Sequence, residues 1–254
     1  MKIRILGASG GIGAPARTTS LLLDQDILVD AGTGVGDLTL AELRAIDHVF
    51  LTHSHLDHLA MLPFLLDTVG AERARPVTVH AQEATLETLR RHLFNGELWP
   101  DFSRLPTPQA PFMTYQALTA GGEIVLGGCV LRSVPVNHVV PAVGYLVRGA
   151  RGSLAFSGDT GMTEEFWQVL NAAGDLKHVI IETSFTDEDA ELSRVAKHLC
   201  PSMLAGELAK LKSAAQVHIT HLMPGKEDDI MRQIARRIPH NTPRRLMRGD
   251  VLEI

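Results

Sequence analysis

Thr52-His53-Ser54-His55-Leu56-Asp57-His58 follows the apolar run His48-Val49-Phe50-Leu51, and its reading decides the fold. Four metal-capable side chains fall within six positions, on a segment that reads as the turn leaving a strand. His53 and His55 alternate, so at the end of an extended run they point the same way. Asp57 and His58 come one turn further on, at the start of a helix-like stretch from Leu59 to Leu66. One local segment can therefore offer two imidazoles to one metal and a carboxylate plus an imidazole to a second. Imidazole nitrogens and carboxylate oxygens suit zinc, manganese or iron. A histidine-rich surface turn is the bland alternative, and a His-x-His-x-Asp-His cluster directly after an apolar strand argues against it.

Upstream, Lys2-Ile3-Arg4-Ile5-Leu6 reads as a strand running into Gly7-Ala8-Ser9-Gly10-Gly11-Ile12-Gly13. A dinucleotide-binding glycine loop needs a helix next, whose N-terminus meets the pyrophosphate. Here Pro15 follows, then strands at Thr18 to Leu23 and Ile27 to Gly32. The loop is therefore expected to join strands and to border the site, with glycine permitting its turns. A short helix is expected over 38–45, a helix over 59–69 with Pro63 in its first turns, a strand at Val77 to His80 and a helix at Glu83 to Leu93. His80 reads as a packing or hydrogen-bonding residue of its strand. From Phe94 to Tyr115 the pattern breaks down around Pro100, Pro106, Pro108 and Pro111. A loop of that length is commonly a lid or binding element; equally, Phe94, Trp99 and Phe102 could plug into the core.

Strands resume at 123–126, 130–136, 144–148 and 153–156, then at His178 to Ile181, Val217 to Thr220 and Asp250 to Ile254. Helices are expected at 202–211 and 228–237. Strands and helices alternate in both halves, which suits two sheets packed face to face with helices outside. The 254 residues are expected to form a single domain, since no linker or repeat divides them.

Hydrophobic residues make up 45% of the chain, enough for a sizeable core. A formal charge of −5 gives no electrostatic footprint for a long nucleic acid. Cys129 and Cys200 stand far apart in no metal or redox spacing and read as buried thiols. Neither a signal-peptide core nor an apolar run of membrane-spanning length is present, so a cytoplasmic setting without membrane partners is expected.

The His-x-His-x-Asp-His motif resembles the signature of the metallo-β-lactamase superfamily, whose α/β fold is a four-layer αββα sandwich with metals at the sheet edge. The resemblance implies further ligands in a set order: a His, a bridging Asp and a His, each at a strand end. His138, Asp159 and His221 stand in those places. His53, His55 and His138 would then hold one ion, Asp57, His58 and His221 a second, and Asp159 would bridge them. Paired divalent ions lower the pKa of water toward ~7. Paired-iron oxygen chemistry in this superfamily has a carboxylate where His55 stands, so that branch is disfavoured.

Glu182-Thr183-Ser184-Phe185 and His198, sixteen residues after Glu182, resemble the proton-donating pair of superfamily phosphodiesterases and RNA 3′-processing nucleases. A ribose 3′-oxygen is a poor leaving group unless protonated, and an imidazole beside a carboxylate can supply the proton. Together with Phe94-Asn95, Leu98-Trp99-Pro100-Asp101-Phe102 and Ser157-Gly158-Asp159-Thr160-Gly161, the chain is similar to the class II cyclic-nucleotide phosphodiesterases. That implies hydrolysis of a small 3′,5′-cyclic nucleotide, with Asp57, His198 and Glu182 in the reacting set. Two divalent ions, zinc first and manganese or iron next, would be the cofactors, and a homodimer stays open as the assembly. Between His138 and Asp159 there is no Gly/Pro-bounded basic arm of the kind tRNA-processing relatives use. A tRNA 3′-processing enzyme is thus the second reading, and a metal-free binding module of the same fold the third.

Overall fold

The computed structural model describes residues 1–240 and 243–254. Strands β1 (Lys2–Gly7), β2 (Ser20–Leu23) and β3 (Ile27–Val29) open the chain, and α1 (Leu40–Ala45) leads into β4 (His48–Phe50). Helices α2 (Leu56–Leu59) and α3 (Leu62–Val69) precede β5 (Val77–Gln82) and α4 (Glu83–His92). A two-stranded ribbon of β6 (Pro106–Thr107) and β7 (Ala110–Pro111) comes before β8 (Met113–Leu118). Then follow β9 (Glu123–Leu126), β10 (Cys129–Pro135), β11 (Val143–Gly149), β12 (Gly152–Phe156), α5 (Glu165–Ala172) and β13 (Leu176–Glu182). Helices α6 (Ala190–Ala196) and α7 (Pro201–Leu208), strand β14 (Gln216–Thr220), helix α8 (Glu227–Arg237), and strands β15 (Arg244–Arg245) and β16 (Val251–Glu253) complete it.

Two seven-stranded sheets result, ordered β16-β1-β2-β3-β4-β5-β8 and β15-β14-β13-β12-β11-β10-β9. Side chains alternate between faces along a strand, and in central strands such as β2, β3 and β12 both faces are buried. Ile3, Ile5, Leu21, Leu23, Ile27 and Val29 meet Tyr145, Val147, Leu154, Phe156 and Ile180 of the other sheet in one apolar cluster. Leu22, Leu28, Val49 and Val79 turn the opposite way, onto Leu62, Leu65 and Leu66 of α3 and Leu86 and Leu89 of α4. In the second sheet Leu146, Ala155, Val179 and Ile181 pack outward on Phe166 and Trp167 of α5, Leu204 of α7 and Ile230 and Ile234 of α8. Strands covered on both faces read as unbroken apolar runs, which is why Leu21-Leu22-Leu23 has no polar alternation. The layers are α, β, β, α, as expected.

Three local expectations change. The helix expected from Leu59 to Val69 is two helices, because the Met61 amide bonds to Ala31 O at 2.9 Å instead of continuing the ladder. Pro63 then sits in the first turn of α3, where its missing N–H is not needed. Asp57 and His58 consequently lie inside the one-turn α2. The irregular segment expected to reach Tyr115 ends earlier, since β8 pairs in parallel with β5 from Val77↔Met113 onward. Within it Phe94 and Phe102 are buried in the core cluster, and half-buried Trp99 packs edge-on against Phe64 at 5.2 Å between ring centroids. Those two phenylalanines serve the core. Helix α6 was not expected. His80 stacks on Phe50, with centroids 4.2 Å apart. No helix among the described residues is long and apolar enough to cross a membrane.

Candidate metal centre and active site

The C-terminal ends of the central strands carry the site. The residues following β4, β10, β12 and β14 include His53, His138, Asp159 and His221. Gly158 adopts a left-handed φ of 59° just before Asp159, and a Cβ there would lie 2.9 Å from Thr52 Cγ2. At the glycine loop, a Cβ on Gly10 would lie 2.8 Å from His221 Nδ1. The loop borders the site as expected, and strand β2, with no intervening helix, follows it.

Two donor sets come together. His53, His55, His138 and Asp159 form one, and Asp57, His58, Asp159 and His221 the other, with donor atoms in each set within 4.8 Å of one another. Asp159 is shared, with Oδ2 3.7 Å from His53 Nε2 and Oδ1 3.2 and 3.3 Å from the Nε2 atoms of His58 and His221. Asp57 Oδ2 lies 3.1 Å from His221 Nε2. The structure thus gathers all seven residues expected to bind metal.

These residues fit divalent cations. His53 Nε2, His58 Nε2 and Asp159 Oδ1 are buried with no hydrogen-bond partner among the described residues, an arrangement that costs free energy unless something else binds them. Charge points the same way. Burial works to raise Asp159, but His221 and His58 hold it well below the usual carboxylate range. Burial likewise disfavours charge on His58, yet Asp159 and Asp30 hold its imidazole well above the ordinary value. Burial raises Asp30 itself, whereas Asp159 stays charged and draws a proton onto His58; a divalent ion would supply that positive charge instead.

Outer contacts fix each ring. Asp30, fully buried, accepts from Thr52 N at 2.8 Å and from His58 Nδ1 at 2.7 Å, and Thr52 Oγ1 lies 2.9 Å from both Asp30 Oδ2 and His53 Nδ1. His138 Nδ1 donates to Lys197 O at 3.1 Å, while Lys197 Nζ returns a bond to His138 O at 2.9 Å. Asp30, Lys197 and His221 all hold positive φ (58°, 53° and 61°), backbone strain gathered at the site. Asp30, Thr52 and Lys197 lie outside the motif residues and had no expected role. A carboxylate ending an apolar strand, as Asp30 ends Ile27-Leu28-Val29, was the available signal.

Glu182 is a second buried hub. Oε1 accepts from Thr160 N at 3.1 Å and His198 Nδ1 at 2.8 Å, and Oε2 from Ser184 Oγ at 3.1 Å and Leu199 N at 3.3 Å. The expected Glu182–His198 pair is therefore formed. His198 follows α6, and its ring lies 5.1 Å from that of His138 and 5.4 Å from that of His221, one donor from each set. Burial opposes its charge, but Glu182, joined by Asp159, outweighs burial and lifts the imidazole to about 9; cations in the two sets would oppose that lift.

An αββα sandwich with paired His/Asp donor sets at its strand ends defines a metal-dependent hydrolase of the metallo-β-lactamase kind. Residues 25–238 match the Beta-lactamase superfamily domain, and the chain belongs to that family. It is similar to a ribonuclease Z of Bradyrhizobium diazoefficiens, 27% identical over 94% of this chain and 95% of the relative. A 3′,5′-cyclic-nucleotide phosphodiesterase of Aliivibrio fischeri is 25% identical over 88% of this chain and 82% of the relative. Among solved structures, unliganded yeast PDE1 superposes with a TM-score of 0.82 at 18% identity, covering 100% of this chain and 99% of that one, a likeness of fold.

Proposed function

We propose that this chain hydrolyses 3′,5′-cyclic nucleotides to nucleoside 5′-monophosphates, using two divalent ions, zinc by preference. The observation that carries the reading is His198, held by Glu182 at 2.8 Å between a ring of each donor set. His53, His55 and His138 would hold one ion, Asp57, His58 and His221 the other, and Asp159 both. When bound, such ions polarise phosphoryl oxygens and make water nucleophilic near neutral pH. The chain supplies the rest. Glu182 accepts a hydrogen bond from His198 Nδ1 and so aims Nε2 away from itself. His198 Nε2 donates its proton to the 3′-oxygen as the P–O3′ bond breaks, and one water adds across that bond. Solvent then returns a proton to the imidazole, whose side chain is 14% exposed.

A small substrate is favoured by the connection between His138 and Asp159. There β11 and β12 form a closed hairpin, Gly149 pairing Gly152, that leaves no room for a clamping arm. The second reading, a tRNA 3′-processing nuclease, is favoured by the ribonuclease Z relative, which aligns along nearly the whole chain. A panel of cyclic AMP, cyclic GMP and precursor tRNA, each with zinc, manganese and iron, separates the two. Turnover of a cyclic nucleotide is expected; cleavage of precursor tRNA with both nucleotides untouched would overturn it.

A further inference from the structure

We infer that two buried hydroxyls, those of Thr52 and Ser184, are positioning residues, each fixing the tautomer of one imidazole in one of the two donor sets. Thr52 fixes His53 and Ser184 fixes His221. A serine hydroxyl has one hydrogen to donate and lone pairs to accept. Ser184 Oγ lies 3.1 Å from Glu182 Oε2, 2.9 Å from His221 Nδ1 and 3.2 Å from His198 Nδ1. The carboxylate can only accept, so the hydroxyl hydrogen goes to Glu182. His198 already spends its Nδ1 proton on Glu182 Oε1 at 2.8 Å, the shorter and charge-assisted bond. His221 is left as the donor to Oγ. Its proton therefore sits on Nδ1, and its Nε2 lone pair turns toward Asp57 Oδ2 and Asp159 Oδ1, 3.1 and 3.3 Å away.

The same count holds in the other sheet. Thr52 Oγ1 gives its hydrogen to Asp30, 2.9 Å from Oδ2, and His58 Nδ1 gives its own to that carboxylate at 2.7 Å. His53 Nδ1, 2.9 Å from Oγ1, is then the donor, and the unpartnered Nε2 of His53 is free to bind a cation. In both relays a carboxylate charge reaches a ligand ring through one hydroxyl, which orients the ring and raises its basicity. Both hydroxyl residues are buried, so water cannot easily substitute.

The inference rests on the two donor sets binding ions and not on the choice of phosphodiester. Its test measures each ion's affinity by chelator competition on zinc-loaded protein, with occupancy of each set located by anomalous scattering. Ser184→Ala should weaken the ion at Asp57, His58 and His221 by 10–100-fold, and Thr52→Val the ion at His53, His55 and His138 by a similar factor. Ser184→Thr, which keeps a hydroxyl, should restore most of the first loss. Unchanged affinities, or equal loss of both ions in each variant, would overturn the assignment. The unaltered protein gives a check free of folding defects: nitrogen NMR of the zinc form should show His53 and His221 protonated at Nδ1. Ligation through Nδ1 of either ring would overturn it. Parent protein binding no zinc would instead overturn the metal centre itself.

Discussion

Asp30 and Glu182 each stand at the end of a strand in parallel pairing, one in each sheet. Each holds one imidazole directly, His58 at 2.7 Å and His198 at 2.8 Å, and contacts a second through a hydroxyl. The two halves of the molecule thus repeat one device and differ in what the directly held ring faces. His58 has no exposed side-chain surface, and its Nε2 lies 3.2 Å from Asp159 and 3.5 Å from Asp57. His198 keeps 14% of its side chain in solvent and makes its hydrogen bonds through Nδ1. A carboxylate behind an imidazole does not by itself decide between ligand and acid. The surroundings of the far nitrogen do: two carboxylates, Asp159 buried and Asp57 partly exposed, suit it to hold a cation, and an open face suits it to donate a proton.

The largest effect should come from breaking the residue that both halves share. Asp159→Asn removes one of the charges both donor sets depend on. Turnover should fall by more than the ~10²-fold typical of a lost outer contact, and bound metal should fall below the parent's. Metal content by atomic emission, read beside the rate, checks this. Full metal with a lost rate would leave the two sets independent and end the bridging assignment.

His198→Ala tests the difference between the halves. General acid catalysis contributes roughly 10²–10⁴-fold, or about 3–5 kcal/mol of barrier. A cyclic nucleotide must expel an alkoxide, so it should lose most of that. A nitrophenyl phosphodiester expels a phenolate that needs no proton, so it should lose far less. Glu182→Gln should show the same asymmetry in weaker form. Equal slowing of both substrates with metal retained would make His198 a binding or structural residue, and the contrast with His58 would vanish.

The seven candidate donors that the structure brings together stand out in the sequence because four of them share one segment and the others end apolar strands. The hydroxyl relays were not, because their partners lie far apart: Thr52 is 22 residues from Asp30 and Ser184 is 37 from His221. Helix α6 was missed for a different reason. Its buried position is Ser193, while Leu192 and Val195 face solvent, so its apolar pattern is inverted. The split between α2 and α3 depended on a tertiary bond from Met61 to Ala31. The 94–112 segment hid its two core anchors because nothing in a proline-rich stretch says which rings turn inward. Distance in sequence, not weakness of the contact, limited the reading in most of these places.

The smallest expected effect concerns a second repeat between the halves, away from the donor sets. His48 Nδ1 meets His80 Nε2 at 3.0 Å on β4 and β5, and His178 Nδ1 meets His218 Nε2 at 3.2 Å on β13 and β14. Burial first, and then the neighbouring imidazole, pushes both His80 and His218 down to about 4. Each is therefore neutral in the folded chain at pH 7, whereas the unfolded chain takes up a proton near ~6.5. Where the unfolded state binds more protons, stability rises with pH. The contribution is complete above about 6.5, shrinks as pH falls toward about 4 and levels off below. Melting temperatures at pH 7 and pH 5, taken in chelator so that metal release does not intrude, should show a larger drop for the parent than for His80→Gln or His218→Gln. Both variants keep every histidine of the two donor sets, so the contribution of those residues cancels in that comparison. If the two pairs are equivalent, each replacement removes a similar share of the drop. His80 also stacks on Phe50 with rings 5° from parallel, so its replacement should lower the melting temperature at pH 7 as well, and that of His218 less. A drop as steep in both variants as in the parent would mean these imidazoles do not set the acid limb of stability.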